Sequence, residues 1–316
     1  MKSSGVLTAL LLKRATNASV TVAVLLICAK LFAWVLTGSL SVMASLVDSL
    51  MDAAASTINL VAVRLSLNPA DEDHRFGHGK AEFLAGLAQA SFITGSAFFL
   101  VIHAVERLRN PVPVTQMTTG VAIMAFSIAV TLLLLAYQHH VIRKTNSTAI
   151  RADALHYGTD VLTNLGTIAA LFLAHHGWPG LDPIFAIIIA CYICFSAVKI
   201  GYNATQMLMD RELPLEIRQK IISIALKPPQ VQGVHDVRTR QSGQVIMIQL
   251  HLELDDNMPL LRSHGIARAV EKEILRTWPG ADVIIHQDPA ELARKTEKKV
   301  WGAEEVPGPS QPPLDI

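Results

Sequence analysis

Charge is scarce in this chain. Of its 316 residues only 17% are Asp, Glu, Lys or Arg, while 51% are hydrophobic. Ordinary soluble domains carry about 25% charged residues, so the shortage excludes a wholly soluble fold. Cysteine is scarce too. Cys28, Cys191 and Cys194 are odd in number and lie in apolar stretches, which excludes a disulfide framework. The Cys191-x-x-Cys194 spacing sits in IIIACYICFSAV and reads as two small buried thiols. A net charge of +1, with no basic patch interleaved with aromatics, argues against nucleic acid as a partner. There is no G-x-x-x-x-G-K loop, hence no ATP drive by this chain, and no H-E-x-x-H for an intramembrane metalloprotease. The apolar run TALLL behind Lys2 is broken by Lys13 and Arg14, too short for a cleaved signal peptide.

What remains is an unequal division. The apolar residues gather in the first two thirds, and ordinary charge density returns from about residue 212. A hydrocarbon core needs about 20 mostly apolar residues per helix. Six segments qualify: 15–37, 40–65, 82–106, 118–141, 150–174 and 181–203, with Pro183 suited to a first helical turn. Lys13, Arg14, Arg64, Arg75, Lys80, Arg143, Lys144, Arg151 and Arg211 share one side if the termini do, against Arg107 and Arg109 on the other. The positive-inside rule then predicts both termini in the cytoplasm.

Beyond the spans, residues 214–226 and 259–277 read as helices, and 234–241, 245–254 and 281–287 as strands. VIMIQLHLEL alternates with period two and SGQ supplies a turn. The predicted fold class is therefore a membrane all-α six-helix bundle (1–211) plus a small cytoplasmic α+β domain of order αββαβ (212–292), its helices on one sheet face. A proline-rich tail (293–316) is expected to be disordered.

The second and fifth spans are impure. Asp48 and Asp52 lie in one, His156 and Asp160 in the other, each pair spaced i, i+4 and so on one helix face. A charge at membrane depth costs at least ~2.5–3.5 kcal/mol. No Lys or Arg is expected at the same depth to pair with them. Three carboxylates and one imidazole, converging from two helices, suit zinc, and also cadmium, ferrous iron, cobalt or manganese. The alternative is a pair of polar contacts between helices.

Two further constellations stand outside the spans. In 71-DEDHRFGHGK-80, Asp71, His74 and His78 form a D-x2-H-x3-H pattern, with Gly77 and Gly79 permitting a tight fold and Asp73 able to replace Asp71. A solvated loop would look the same. In the soluble domain His235, His251, His286 and Asp288 fall at strand ends, and His264 on the second helix. Asp288 could bridge two metals. His103, His139, His140, His175 and His176 read as interfacial polar residues.

These motifs carry a resemblance. SLVDSLMD (45–52), SLNPADEDHRFGHGKAE (66–82), RADALHYGTDV (151–161), HDVRTRQSG (235–243) and DVIIHQDP (282–289) resemble those of the cation diffusion facilitator family, its bacterial zinc and ferrous-iron exporters above all, over about residues 8 to 290. The resemblance implies a multi-pass protein of the bacterial inner membrane with a metallochaperone-like cytoplasmic domain. It implies a homodimer and a secondary transporter rather than an enzyme, exporting Zn2+, with Fe2+ or Cd2+ as further cargo, in exchange for protons. Asp48, Asp52, His156 and Asp160 match the family's transport site. Asp71, His74 and His78 match its loop site, and His235, His251, His264, His286 and Asp288 its cytoplasmic site, with Gln287 as a weaker contact. Lys80 and Asp210 match a charge interlock at the dimer contact, and Leu155 a gate position. A metal-gated channel and a membrane metal sensor are the competing readings. The first would lack proton coupling, and the second would leave the intramembrane quartet without a task.

Overall fold

The computed structural model of the chain describes residues 2–37, 40–109, 117–175 and 182–296. It divides at Met209 and Asp210 into two compact units. The first holds six long helices: α1 (Lys2–Thr37), α2 (Leu40–Ser66), α3 (Ala81–Arg109), α4 (Met117–Thr145), α5 (Thr148–His175) and α6 (Asp182–Leu208). All but α5 are long and apolar enough, over the described residues, to cross a membrane. In lipid a helix satisfies every backbone polar group within itself, and the prolines obey that demand by falling between helices or, at Pro183, in a first turn. Helix α1 begins well before residue 15, running through Lys13 and Arg14 without a break.

Small residues set the packing. Ala15, Ala85 and Ala149 join Leu12, Val63 and Ile150 in one buried cluster, and Ala97 and Ala197 join Ile93 and Ile193 in another. Such residues let helix backbones approach where lipid supplies no hydrophobic drive. Large side chains such as Phe98, Phe99, Leu133 and Phe195 face outward, as a lipid-facing surface requires.

Helix α5 is fixed at its start. Asn146 takes the left-handed conformation (φ 51°) that ends α4. Ser147 Oγ then accepts the Ile150 N–H at 3.2 Å, and the buried Glu82 carboxylate on α3 accepts the Thr148 N–H at 2.9 Å. Together they cap an N-terminus whose dipole favours negative charge.

One turn into α5 lies Asp153, fully buried. Its Oδ2 accepts from Ser19 on α1 (2.6 Å) and Gln138 on α4 (2.7 Å), and its Oδ1 from Gln89 on α3 (3.1 Å). The neighbouring Tyr157 donates its one hydroxyl proton to the Ser19 carbonyl (3.0 Å), so Ser56 on α2, 2.9 Å away, is the donor to Tyr157. Five helices are thereby tied together on the side of the metal-ligand residues nearer the α5 N-terminus.

The second unit runs α7 (Leu215–Ala225), β1 (Gly233–Ser242), β2 (Val245–Leu254), α8 (Leu260–Thr277), β3 (Asp282–Pro289) and α9 (Ala290–Thr296). The sheet order is β1-β2-β3, antiparallel then parallel. Ile248, Leu250 and Leu252 of β2 pack against Ile221 and Ile224 of α7 and Val270 and Ile274 of α8. Strand alternation leaves the other sheet face to His251 and Glu253. Helix α9 extends past residue 293, where the tail was expected to begin. Residues 297–316 lie outside the described residues, as do the His103, His175 and His176 side chains, while His139 and His140 are exposed.

Replacing a donor to a buried carboxylate should cost about 1–3 kcal/mol. Gln138→Leu is expected to lower the thermal midpoint in detergent, and an unchanged midpoint would remove Asp153 as a fastening point.

Candidate metal sites

Three clusters of ligand-type side chains occur among the described residues, each with its atoms within 4.8 Å of one another: Asp52, His156 and Asp160; Asp71, His74 and His78; and His235, His251 and Asp288.

The first joins α2 to α5. His156 Nε2 stands 3.0 Å from Asp52 Oδ1, with both side chains largely buried. Yet Nε2 makes no hydrogen bond of acceptable angle. Two atoms this close, but not aligned as donor and acceptor, are placed as ligands aimed at a shared cation would be. Asp48, one turn along α2, is exposed and falls outside this tight set. The expectation that no basic residue lies at this depth is overturned. Lys30 of α1 is half-buried, bonds to α2 beside Asp48, and is within electrostatic reach of Asp52, Asp160 and Asp48. Leu155 packs against the Ile93, Ala97, Ile193 and Ala197 cluster of α3 and α6.

In the loop, Asp71 Oδ1 accepts backbone N–H bonds from Asp73 (3.1 Å) and His74 (2.6 Å), an Asx turn. Gly77 takes φ 77° to turn the chain back. His78 Nδ1 lies 3.2 Å from the Pro69 carbonyl. A carbonyl can only accept, so Nδ1 carries a proton, and Nε2 lies 3.2 Å from Asp71 Oδ2. The His74 N–H, with the charge of His78 adding to it, holds the Asp71 carboxyl below its ordinary value. The folded value therefore lies below the unfolded one. Its stabilising contribution is complete above the unfolded pKa and is lost only as pH falls through the folded one.

The third cluster is built by register. His235 pairs with His251, and His251 with His286, in one row across the sheet, ring centroids 5.1 and 4.6 Å apart. Asp288 Oδ2 lies 2.7 Å from His251 Nδ1 and 3.4 Å from His235 Nε2, and Oδ1 lies 3.1 Å from His286 Nε2. A bulge between His235 and Arg238, with Asp236 at φ 44°, turns Asp236 to within 3.6 Å of His251. Glu253, buried, takes the other nitrogen of His235 at 3.0 Å, which frees Nε2 toward Asp288. This is the outer-shell carboxylate that orients a ligating imidazole. The sequence reading missed Asp236 and Glu253. The His-Asp pair and the alternation of HLEL were the available signals. His264 is exposed on α8, outside the cluster. Gln287 alternates to the opposite sheet face from His286 and Asp288, where its Oε1 is buried without a partner. Lys80 donates to the Leu208 carbonyl (3.3 Å), and Asp210 accepts from Arg240 (3.1 Å).

Buried ligand-type side chains between two long helices of a bundle built largely of membrane-length helices, with a second such set on a small sheet, have the character of a metal-transporting membrane protein. The cation efflux transmembrane domain matches residues 17–209, and the cation efflux protein cytoplasmic domain residues 213–290. The chain belongs to the cation efflux family, the cation diffusion facilitators, and is a metal-exporting pump. It is 50% identical over 289 residues to the cation-efflux pump FieF of Citrobacter koseri, covering 92% of this chain and 96% of that one. The FieF pumps of Salmonella arizonae and Escherichia coli K12 are 49% identical with the same coverage. A solved structure of CzrB in its zinc form is 25% identical over 26% of this chain and 94% of that one, with a TM-score of 0.24.

Glu253→Gln is expected to weaken metal binding at the sheet cluster roughly 10- to 100-fold, read by zinc titration. Asp71→Asn should abolish loop binding while leaving the Asx turn, since the amide oxygen still accepts.

Proposed function

We propose that the chain exports zinc, with ferrous iron and cadmium as further cargo, in exchange for protons, through Asp48, Asp52, His156 and Asp160. The observation that carries this reading is the off-line approach of His156 Nε2 to Asp52 Oδ1 beside Asp160, inside a helical bundle. A soft-to-borderline imidazole with carboxylates selects such divalent ions over calcium or magnesium. Asp48, on the same helix face, completes four ligands after a small rotation of α2 against α5.

Metal needs its ligands deprotonated, so cation and proton compete for the same atoms. In an inward-facing state the site takes metal from the cytoplasm. In an outward-facing state protons displace it, the imidazole being the group suited to change charge near neutrality. Leu155, packed next to His156, serves as the apolar gate between the states. The protein works as a homodimer in the inner membrane, both termini cytoplasmic. Lys80 and Asp210 hold the membrane halves at the dimer contact. Metal held by His235, His251, His286 and Asp288, with His264 of the same domain contributing in the dimer, favours one arrangement of the cytoplasmic domains and biases transport by its differential affinity. Asp71, His74 and His78 hold a further metal in the loop between α2 and α3.

Zinc flux into proteoliposomes tests the exchange. Saturable uptake that follows an imposed pH gradient and disappears in Asp160→Ala is expected, and uptake indifferent to the gradient would make the protein a channel. His156→Asp should keep a cation site but change metal preference and pH dependence. An unchanged profile would take the proton role from His156.

A further inference from the structure

Lys30 is a charged residue inside the membrane unit that neither packing nor the ligand set accounts for. It lies on α1, and its ammonium donates to Ser49 Oγ at 2.6 Å and to the Ser45 carbonyl at 3.1 Å on α2. Ser49, 1% exposed, directly follows Asp48 and stands one turn before Asp52. The ammonium is thus anchored to the backbone and hydroxyl face of the helix that carries two of the four ligands, within electrostatic reach of Asp52, Asp160 and Asp48.

Ser49 Oγ and the Ser45 carbonyl are neutral acceptors. They satisfy N–H donors but leave the charge itself uncompensated, and a bare cation inside a span is costly. The carboxylates of the quartet are the compensation. With His156 neutral, three carboxylates and one ammonium leave two negative charges, the complement of a divalent cation. Because Lys30 is held to Ser49 and Ser45, it weakens the field of the site from one side while the ligand atoms of Asp52, His156 and Asp160 still face one another.

We propose that Lys30 is a tethered counter-cation that sets the charge of the transport site, and with it the affinity for cargo and the ease of its release. The role rests on the reading that the quartet carries the cargo. Without the ammonium, three carboxylates would hold a divalent ion with a surplus negative charge. Binding should tighten at least about ten-fold, since a unit charge acts strongly on a divalent ion across a medium of dielectric ~20. Release should slow correspondingly. Lys30 is a specificity-determining residue that need not touch the cargo.

The test compares Lys30→Met, Lys30→Arg and Asp160→Ala in the full-length protein, with zinc titration in detergent and zinc flux in proteoliposomes. Lys30→Met, close in shape and without charge, is expected to lower both KM and kcat for zinc at least about ten-fold. Lys30→Arg, which keeps the charge, should restore values near wild type. If Lys30→Met transports nothing, the titration decides, with tightened binding supporting the role and weakened binding reducing Lys30 to a strut. If Asp160→Ala loses the quartet's zinc while Lys30→Met binds as wild type does, the counter-cation alone is overturned. If Asp160→Ala binds and transports as wild type does, the quartet reading falls first.

Discussion

Charge in a low-dielectric span is the constraint on which this structure depends. A carboxylate among lipid-facing helices must meet a proton, a cation or several hydrogen-bond donors. The membrane unit uses different solutions at neighbouring depths. Asp153 has donors from three helices and is a fastening point. Asp52 has the His156 imidazole 3.0 Å away, and Lys30 lies within electrostatic reach of both Asp52 and Asp160. The same residue type, two turns apart on α5, is a structural pin in one place and, in the function proposed, a ligand in the other. What differs is the number of fixed donors.

The two sites outside the bundle share a device. In each, one imidazole has a nitrogen committed to an acceptor, the Pro69 carbonyl for His78 and the Glu253 carboxylate for His235. The other nitrogen is left facing an aspartate. Orienting the imidazole in advance is what a ligand of the proposed metal would need. The sheet version is the more rigid, because register between three strands sets the row of histidines.

Much of this was legible in the sequence. Long apolar runs located six helices, and the alternation in VIMIQLHLEL located β2 with its polar face. The i, i+4 pairs identified one face on each of α2 and α5. What escaped reading depended on partners distant along the chain. Lys30 has no local signature, because its anchors lie on the next helix. Asp153 was overshadowed by His156 and Asp160, and its donors come from positions 19, 89 and 138. The bulge that aims Asp236 has no local signature, and the burial of Glu253 follows only once Gly233 is known to pair with it. Gln287 takes the opposite sheet face from its two neighbours, as the period of two along a strand requires.

The most direct measurement is the location of bound metal by anomalous scattering at the zinc edge from the full-length protein. The account predicts an ion between α2 and α5, about 2.0–2.2 Å from ligand atoms of Asp52, His156 and Asp160, with Asp48 drawn in as the fourth ligand. Zinc at the loop and sheet clusters with none between α2 and α5, under saturating metal, would contradict it.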